Sequence, residues 1–206
     1  MTTSKATTDT MRLELLAVER WIQPESRVLD IGCGDGTLLR YLQENHRVVG
    51  TGVEIDDNNI TRCVSNGVHV IEQDIDQGLT NFATSSFDTV LLTQTLQAVR
   101  RPDYVLEEIL RIGKECIITF PNFGHWKARL HLGLLGRMPV SRFMPYRWYD
   151  TPNIHFCTVK DFERLCEREG IRILDRKVQD NEHKNSMLGN LWPNLFGTNA
   201  IYHVTK

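Results

Sequence analysis

No apolar run in this chain approaches the roughly 18 residues that a membrane-spanning helix needs. The N-terminus has no basic start followed by an apolar stretch, so no secretory signal is expected. There is no excess of positive charge. The chain carries 24 Lys and Arg against 26 Asp and Glu, a net −2, which argues against general nucleic-acid binding. Cysteine is scarce and scattered. Cys33, Cys63, Cys116, Cys157 and Cys166 are odd in number and form no C-x-x-C. That pattern excludes a disulfide framework, argues against a zinc site or any other metal, and points to a reducing compartment. These absences predict a cytoplasmic protein with neither a nucleic-acid nor a membrane partner. What is present is ordinary for a soluble globular chain: 206 residues, 41% hydrophobic and 24% charged. A polar, Thr-rich stretch over residues 1–10 is expected to be a flexible tail, with a single domain over 11–206.

The rest is organised around one stretch. Val28 to Ile31 is a short apolar run that reads as a buried strand. Glycines follow at alternate positions, Gly32, Gly34 and Gly36, and then Leu38, Leu39, Tyr41 and Leu42 at helical spacing. This is a strand, a tight turn and a helix. Glycine in such a turn reaches backbone angles closed to other residues and lets a ligand touch the main chain. The helix behind it aims free N–H groups at the turn. In α/β nucleotide sites an acid at the tip of the second strand takes the ribose hydroxyls. Glu54, in the strand candidate Val48 to Ile55, stands there. A nicotinamide site would show G-x-G-x-x-G, but position 37 is Thr, which argues against a dehydrogenase. Cys33 in the turn reads as a small filler, since no acid or His adjoins it to activate it.

Taken in order, the pattern alternates. Leu13, Leu16, Ala17, Arg20 and Trp21 form a helical stripe. Residues 60–64 continue a helix capped near Asp56 and closed by Asn66-Gly67. Val68 to Ile71 predicts strand three, leading to Asp74. Ser86 to Thr93 predicts strand four, and a helix from Pro102 to Gly113 carries Val105, Leu106, Ile109 and Leu110. Cys116 to Phe120 predicts strand five. After residues 122–155, which contain no clean strand, a helix starts at Thr158 and closes at Gly170. Strand six runs from Ile171 to Val178 and the last strand from Asn199 to Thr205. Residues 180–197 form an apolar loop that folds back near the site mouth or meets a partner. The expectation is an α/β, Rossmann-like fold with a mostly parallel seven-stranded sheet and an antiparallel last strand. Residues 122–155 are an aromatic and basic insert after strand five. A ligand then sits at the carboxyl ends of the strands, where the glycine turn, Glu54, Asp74 and Gln94 all lie.

The set Asp30, Gly32-x-Gly34-x-Gly36, Glu54 and Asp74 resembles the class I S-adenosylmethionine-dependent methyltransferases. The resemblance tightens further along the chain. Gly52-Val-Glu54-Ile-Asp56, Phe120-Pro-Asn-Phe-Gly-His125-Trp126, Gly136-Arg-Met-Pro-Val140 and the run Pro145-Tyr146-x-Trp148-Tyr149-Asp150-Thr-Pro-Asn153-Ile-His155 resemble the MetW family of methionine-biosynthesis proteins. That resemblance implies a methyltransferase-like domain that binds S-adenosylmethionine or S-adenosylhomocysteine. It also implies a homoserine O-acyltransferase partner whose activity the family supports. The implied cofactor residues are Asp30, Gly32, Gly34, Gly36, Glu54, Ile55, Asp74, Ile75 and Gln94. The turn would face the methionine end, Glu54 the ribose and Asp74 the adenine amino group.

Whether methyl transfer occurs stays open. The activated cofactor leaves positioning as the main catalytic task, and a base is needed only when the acceptor carries a proton. The tip of strand four offers Gln94 and Gln97, neither of which takes a proton at neutral pH. The Asn-Pro-Pro-Tyr type of motif is absent. His125 and His155 are the candidate bases. The competing reading packs such a histidine among Trp126, Trp148 and Tyr149 with its nitrogens bonded to backbone. Arg129, Arg137, Arg142 and Arg147 either bind a carboxylate or phosphate or form a solvated face. Two functions therefore stand: an accessory protein acting on an acyltransferase, and a methyltransferase for an unidentified small molecule.

Overall fold

The computed structural model describes residues 18–141, 144–179, 189 and 191–206. Their strands are β1 (Arg27–Ile31), β2 (Val49–Glu54), β3 (His69–Glu72), β4 (Phe87–Thr93), β5 (Gly113–Pro121), β6 (Arg172–Gln179) and β7 (Asn199–Thr205). The helices are α1 (Thr37–His46), α2 (Asp57–Ser65), α3 (Pro102–Ile112), α4 (Trp126–Leu135), α5 (Val159–Glu169) and the short α6 (Pro193–Phe196). The seven strands form one sheet in the order β3-β2-β1-β4-β5-β7-β6. The first five are parallel, and β7 runs antiparallel to both of its neighbours. This is the Rossmann-like class I methyltransferase architecture that the sequence predicts.

Side-chain alternation along the strands builds two cores. Leu29, Val90, Leu92, Ile118, Phe120 and Tyr202 point to one face, against Leu106 and Ile109 of α3 and Phe162 of α5. Val28, Leu91, Ile117 and Ile201 point to the other, against Leu39 and Leu42 of α1 and Cys63 of α2. Strands buried on both faces read as continuous apolar runs, which is why β1, β4 and β5 were visible. On the first face Phe120, Phe162 and Tyr202 form a ring cluster with centroids 4.6–5.9 Å apart.

The helix starts follow their chemistry. Asp56 caps α2 by accepting the Asn59 N–H, and Thr158 caps α5 by accepting the Asp161 N–H. Gly113 ends α3 as expected, but β5 begins at that same residue, so no loop separates them. The stripe at residues 13–21 has its first three members outside the described residues, and Glu19–Trp21 is a 3-10 turn with Trp21 buried. The insert, expected to contain no clean strand, has none among its described residues and contains the ten-residue helix α4. Of the 180–197 loop, α6 is described; Met187 and the 1–10 tail lie outside the described residues.

Candidate functional site

The sheet order reverses between β1 and β4, so the crossovers from these two strands leave in opposite directions and open a crevice at their carboxyl ends. The turn after β1 lies there. Gly32, Gly34 and Gly36 all have positive φ, at 72°, 56° and 76°. The turn is clipped to β2, since the N–H groups of Gly32 and Cys33 both donate to the Val53 carbonyl, at 2.8 and 3.1 Å. A Cβ at Gly32 would come within 2.5 Å of the Thr95 hydroxyl, whereas a Cβ at Gly34 would meet nothing within 4 Å. Gly32 is thus required for packing, and Gly34 faces open space.

Glu54 ties the turn to the end of β2. Its Oε2 accepts the Gly34 N–H at 2.8 Å, and its Oε1 accepts those of Ile55 and Asp56 at 2.8 and 3.0 Å. Asp30 is buried on β1, and neither of its carboxylate oxygens has a partner. Burial, reinforced by the Glu54 charge, pushes its carboxyl up to about 7. Asp30, Gly32, Gly34 and Gln94 line one cavity of ≈ 290 Å³, together with Asp35, Leu38, Asn59, Arg62 and Thr93. Gln94 takes a left-handed backbone, φ 54°, costly for a residue with a side chain. Thr119 and Asn199 hold it there: its side-chain amide donates to Thr119 Oγ1 and to Asn199 Oδ1, at 3.3 and 2.9 Å.

The remaining predicted residues sit around this cavity without lining it. Gly36 is the N-cap of α1, and a Cβ there would press on Cys63 and Val68 at 3.0 and 3.2 Å. Its place lets α1 approach α2. Asp74 caps the 3-10 turn Ile75–Gln77, accepting from the Asp76 N–H and the Gln77 amide. Ile55 beside Glu54 is exposed, and Ile75 packs on the core. Cys33 is buried with its sulfur 3.7 Å from that of Cys63, and burial drives its thiol far above the ordinary range, as suits a filler. Sequence reasoning missed Asn59 and Arg62. Their signal was three-residue spacing on a helix whose cap was already read.

The two candidate histidines line different cavities. His125 is buried, its ring centroid 5.9 Å from that of Trp126, and it caps α4 by accepting the Lys127 N–H on Nδ1. Burial first, and the Lys127 charge second, lower its pKa. His155 is exposed, with Nε2 3.3 Å from the Arg100 carbonyl. It lines an aromatic and Met-rich cavity with Phe123, Met138, Tyr146, Trp148 and Phe156. The Gln97 carbonyl accepts the N–H groups of Ile154 and His155 at 2.9 and 3.0 Å, which fastens the end of the insert beside the Gln94 turn. Among the proposed anion-binding arginines, Arg129 is spent on the carbonyls of Gly124 and Asn194. Arg147 donates to the Tyr149 hydroxyl at 2.6 Å, and Arg142 lies outside the described residues.

Residues 12–204 match the family model described as methionine biosynthesis protein MetW. The chain is 32% identical over 201 residues to the bifunctional methionine biosynthesis protein MetXA/MetW of Rhodopirellula baltica. The match covers 93% of this chain but only 32% of that relative, so the chain spans about a third of its length. Among solved structures it resembles an S-adenosylmethionine-dependent methyltransferase from Archaeoglobus fulgidus, with TM-score 0.71, 17% identity and coverage of 96% of this chain and 94% of the other. One from Mesorhizobium loti gives TM-score 0.69 at 16% identity, covering 94% and 98%. These two likenesses concern the fold. Among the described residues no helix is long and apolar enough to cross a membrane.

Proposed function

The chain belongs to the MetW family, and from that premise we propose that it binds S-adenosylmethionine or S-adenosylhomocysteine. In this reading it acts in methionine biosynthesis with a homoserine O-acyltransferase. The observation that carries the cofactor reading is Asp30. A buried carboxylate with both oxygens unpartnered, facing a cavity, fits a ligand that brings positive charge. This cofactor has a sulfonium and an ammonium. Gly34 leaves the room that such a ligand needs, and Glu54 is a charged acceptor at the strand tip where ribose hydroxyls are bound in folds of this type. Ile55 offers an exposed apolar side chain to an adenine, with Asp74 and Ile75 on the next strand end.

When bound, the cofactor supplies an activated methyl group. The chain's own contribution is to orient it through Asp30, the turn and Glu54. The pairing with an acyltransferase is supported by the Rhodopirellula relative, which carries the MetXA and MetW names in one polypeptide. The insert 122–155 is the surface we assign to that partner within a single methyltransferase-like domain, residues 11–206.

Calorimetric titration with S-adenosylmethionine tests the cofactor reading. Glu54→Ala removes a charged acceptor whose hydrogen bonds are each worth roughly 1.5–3 kcal/mol. Affinity is therefore expected to fall by at least about tenfold. Unchanged binding in that variant overturns the assignment.

A second reading, methyl transfer to a small acceptor, draws on the aromatic pocket around Phe123, Met144 and Phe156 beside Pro121 at the end of β5, whose ≈ 30 Å³ must widen to admit an acceptor. Loss of methyl transfer in a radiolabel assay with Phe156→Ala, at unchanged cofactor affinity, is its expected signature. Accumulation of label at the wild-type rate in that variant excludes the cavity as acceptor site.

A further inference from the structure

The cap of α4 accounts for only half of His125. Its Nδ1 accepts the Lys127 N–H at 3.3 Å, which fixes the neutral tautomer with the proton on Nε2. His125 is 7% exposed, and among the described residues its ring makes one hydrogen bond, through Nδ1. His125 is among the residues lining a separate cavity of ≈ 370 Å³, also walled by Lys127 and His131 of α4, by Ser141 and Met144, and by Thr198 before β7. Lys127 and His131 are four residues apart, so they share a helix face. The Lys127 ammonium lies 5.5 Å from the Trp126 ring centroid, and among the described residues it forms no ion pair. Among the described lining residues there is no acid at all. The ten-residue helix adds the positive end of its dipole at this point. A histidine ring, two further basic side chains and a helix N-terminus line one space, with no acid among its described lining residues.

Asn122 makes this arrangement rigid. Its carbonyl accepts the His125 N–H, and its side-chain oxygen accepts the N–H groups of Gly124 and Val159. Its amide donates to the carbonyls of Pro193, Asn194 and Gly197. The loop that presents His125 is therefore fixed before any ligand arrives, which is how a specific polar site is built.

We propose that this cavity binds the oxyanion of a small molecule, a carboxylate or phosphate group held by His125 Nε2–H, Lys127 and His131. The proposal is independent of the cofactor reading, since it uses none of the residues at β1 and β2.

The test exploits the two jobs of His125. Asparagine is a good N-cap, so His125→Asn keeps the cap and removes the ring donor. Wild-type protein, His125→Asn and His131→Gln are titrated with inorganic phosphate and, separately, with acetate, by calorimetry and by the histidine ring resonances in NMR spectra. Saturable binding is expected in the wild type, weakened at least about tenfold in His125→Asn with the thermal midpoint preserved. His131→Gln is expected to weaken it as well, which keeps the test meaningful if the first variant unfolds. Saturation by phosphate alone identifies a phosphoryl ligand, and saturation by acetate identifies a carboxylate. No saturation by either anion up to about 20 mM overturns the proposal. So does binding that survives both substitutions unchanged.

Discussion

At the scale of single residues, Asp30 sets the clearest expectation. Its carboxyl is raised from 3.8 to about 7, first by burial and then by Glu54. A carboxyl whose folded value exceeds its unfolded value binds more protons in the native state. It therefore costs stability as pH rises from about 4 to about 7, and the full cost is present above that window. Asp30→Asn removes the buried charge. The ligand-free variant is expected to be more stable than wild type at pH 8, by up to about 4 kcal/mol, with the advantage gone below about pH 4. In thermal melts across this range, a difference independent of pH would contradict the origin of the strain. Cofactor affinity is expected to move the opposite way, since a positive ligand loses its counter-charge. Asp30 was legible through the family resemblance, while residue spacing grouped Gly32, Gly34 and Gln94 because each stands at a strand end. It did not reveal which way each glycine of the turn faces. Gly36 shares the motif, yet it serves the approach of α1 to α2. Arg62 and Asn59 reach the cavity from a helix whose polar face looked like any solvated surface.

At the scale of elements, β1, β4 and β5 were legible because burial on both faces writes a continuous apolar run. Helix α4 was not, for the converse reason. Leu130, Leu132, Leu134 and Leu135 are all exposed, and of its residues only Ala128 is buried, so no apolar stripe marks an inner face. What anchors it is the junction at Asn122, where the end of β5, the start of α5 and α6 meet. Asn122→Ala leaves the Gly197 carbonyl and the Gly124 and Val159 N–H groups without the Asn122 side chain, while the Pro193 and Asn194 carbonyls keep the Gly197 N–H and Arg129 as donors. A loss of roughly 2–4 kcal/mol in chemical denaturation is expected. Asn122→Asp should cost more, because a carboxylate would face those carbonyls without a donor. Equal stability of Asn122→Ala and wild type would mean that the junction is not a structural anchor. Gly197 gives a second check on the same junction. A Cβ there would lie 1.7 Å from Val178 Cγ1 and 2.7 Å from the Pro193 carbonyl, so Gly197→Ala should lower the melting temperature markedly.

At the scale of the whole molecule, the sheet was predictable in class and direction, while the outer surface was not. Trp148 is 74% exposed, and Tyr149, Leu134 and Leu135 are also exposed, on an insert that carries five basic residues and one acid. Aromatic residues and arginine dominate interface energetics. The double variant Trp148→Ala, Arg147→Ala is expected to weaken association with a homoserine O-acyltransferase by roughly 2 kcal/mol or more, with cofactor affinity little changed. Undiminished capture in a pull-down ends the assignment of this surface. The strand order also bears on how the molecule comes into being. Among the described residues strand β6 has a single neighbour in the sheet, β7, and β7 follows both β5 and β6 in the chain. Until it arrives, β6 has no strand to pair with and β5 presents an unpaired edge. A nascent chain stalled before residue 199 thus holds two open templates for intermolecular pairing.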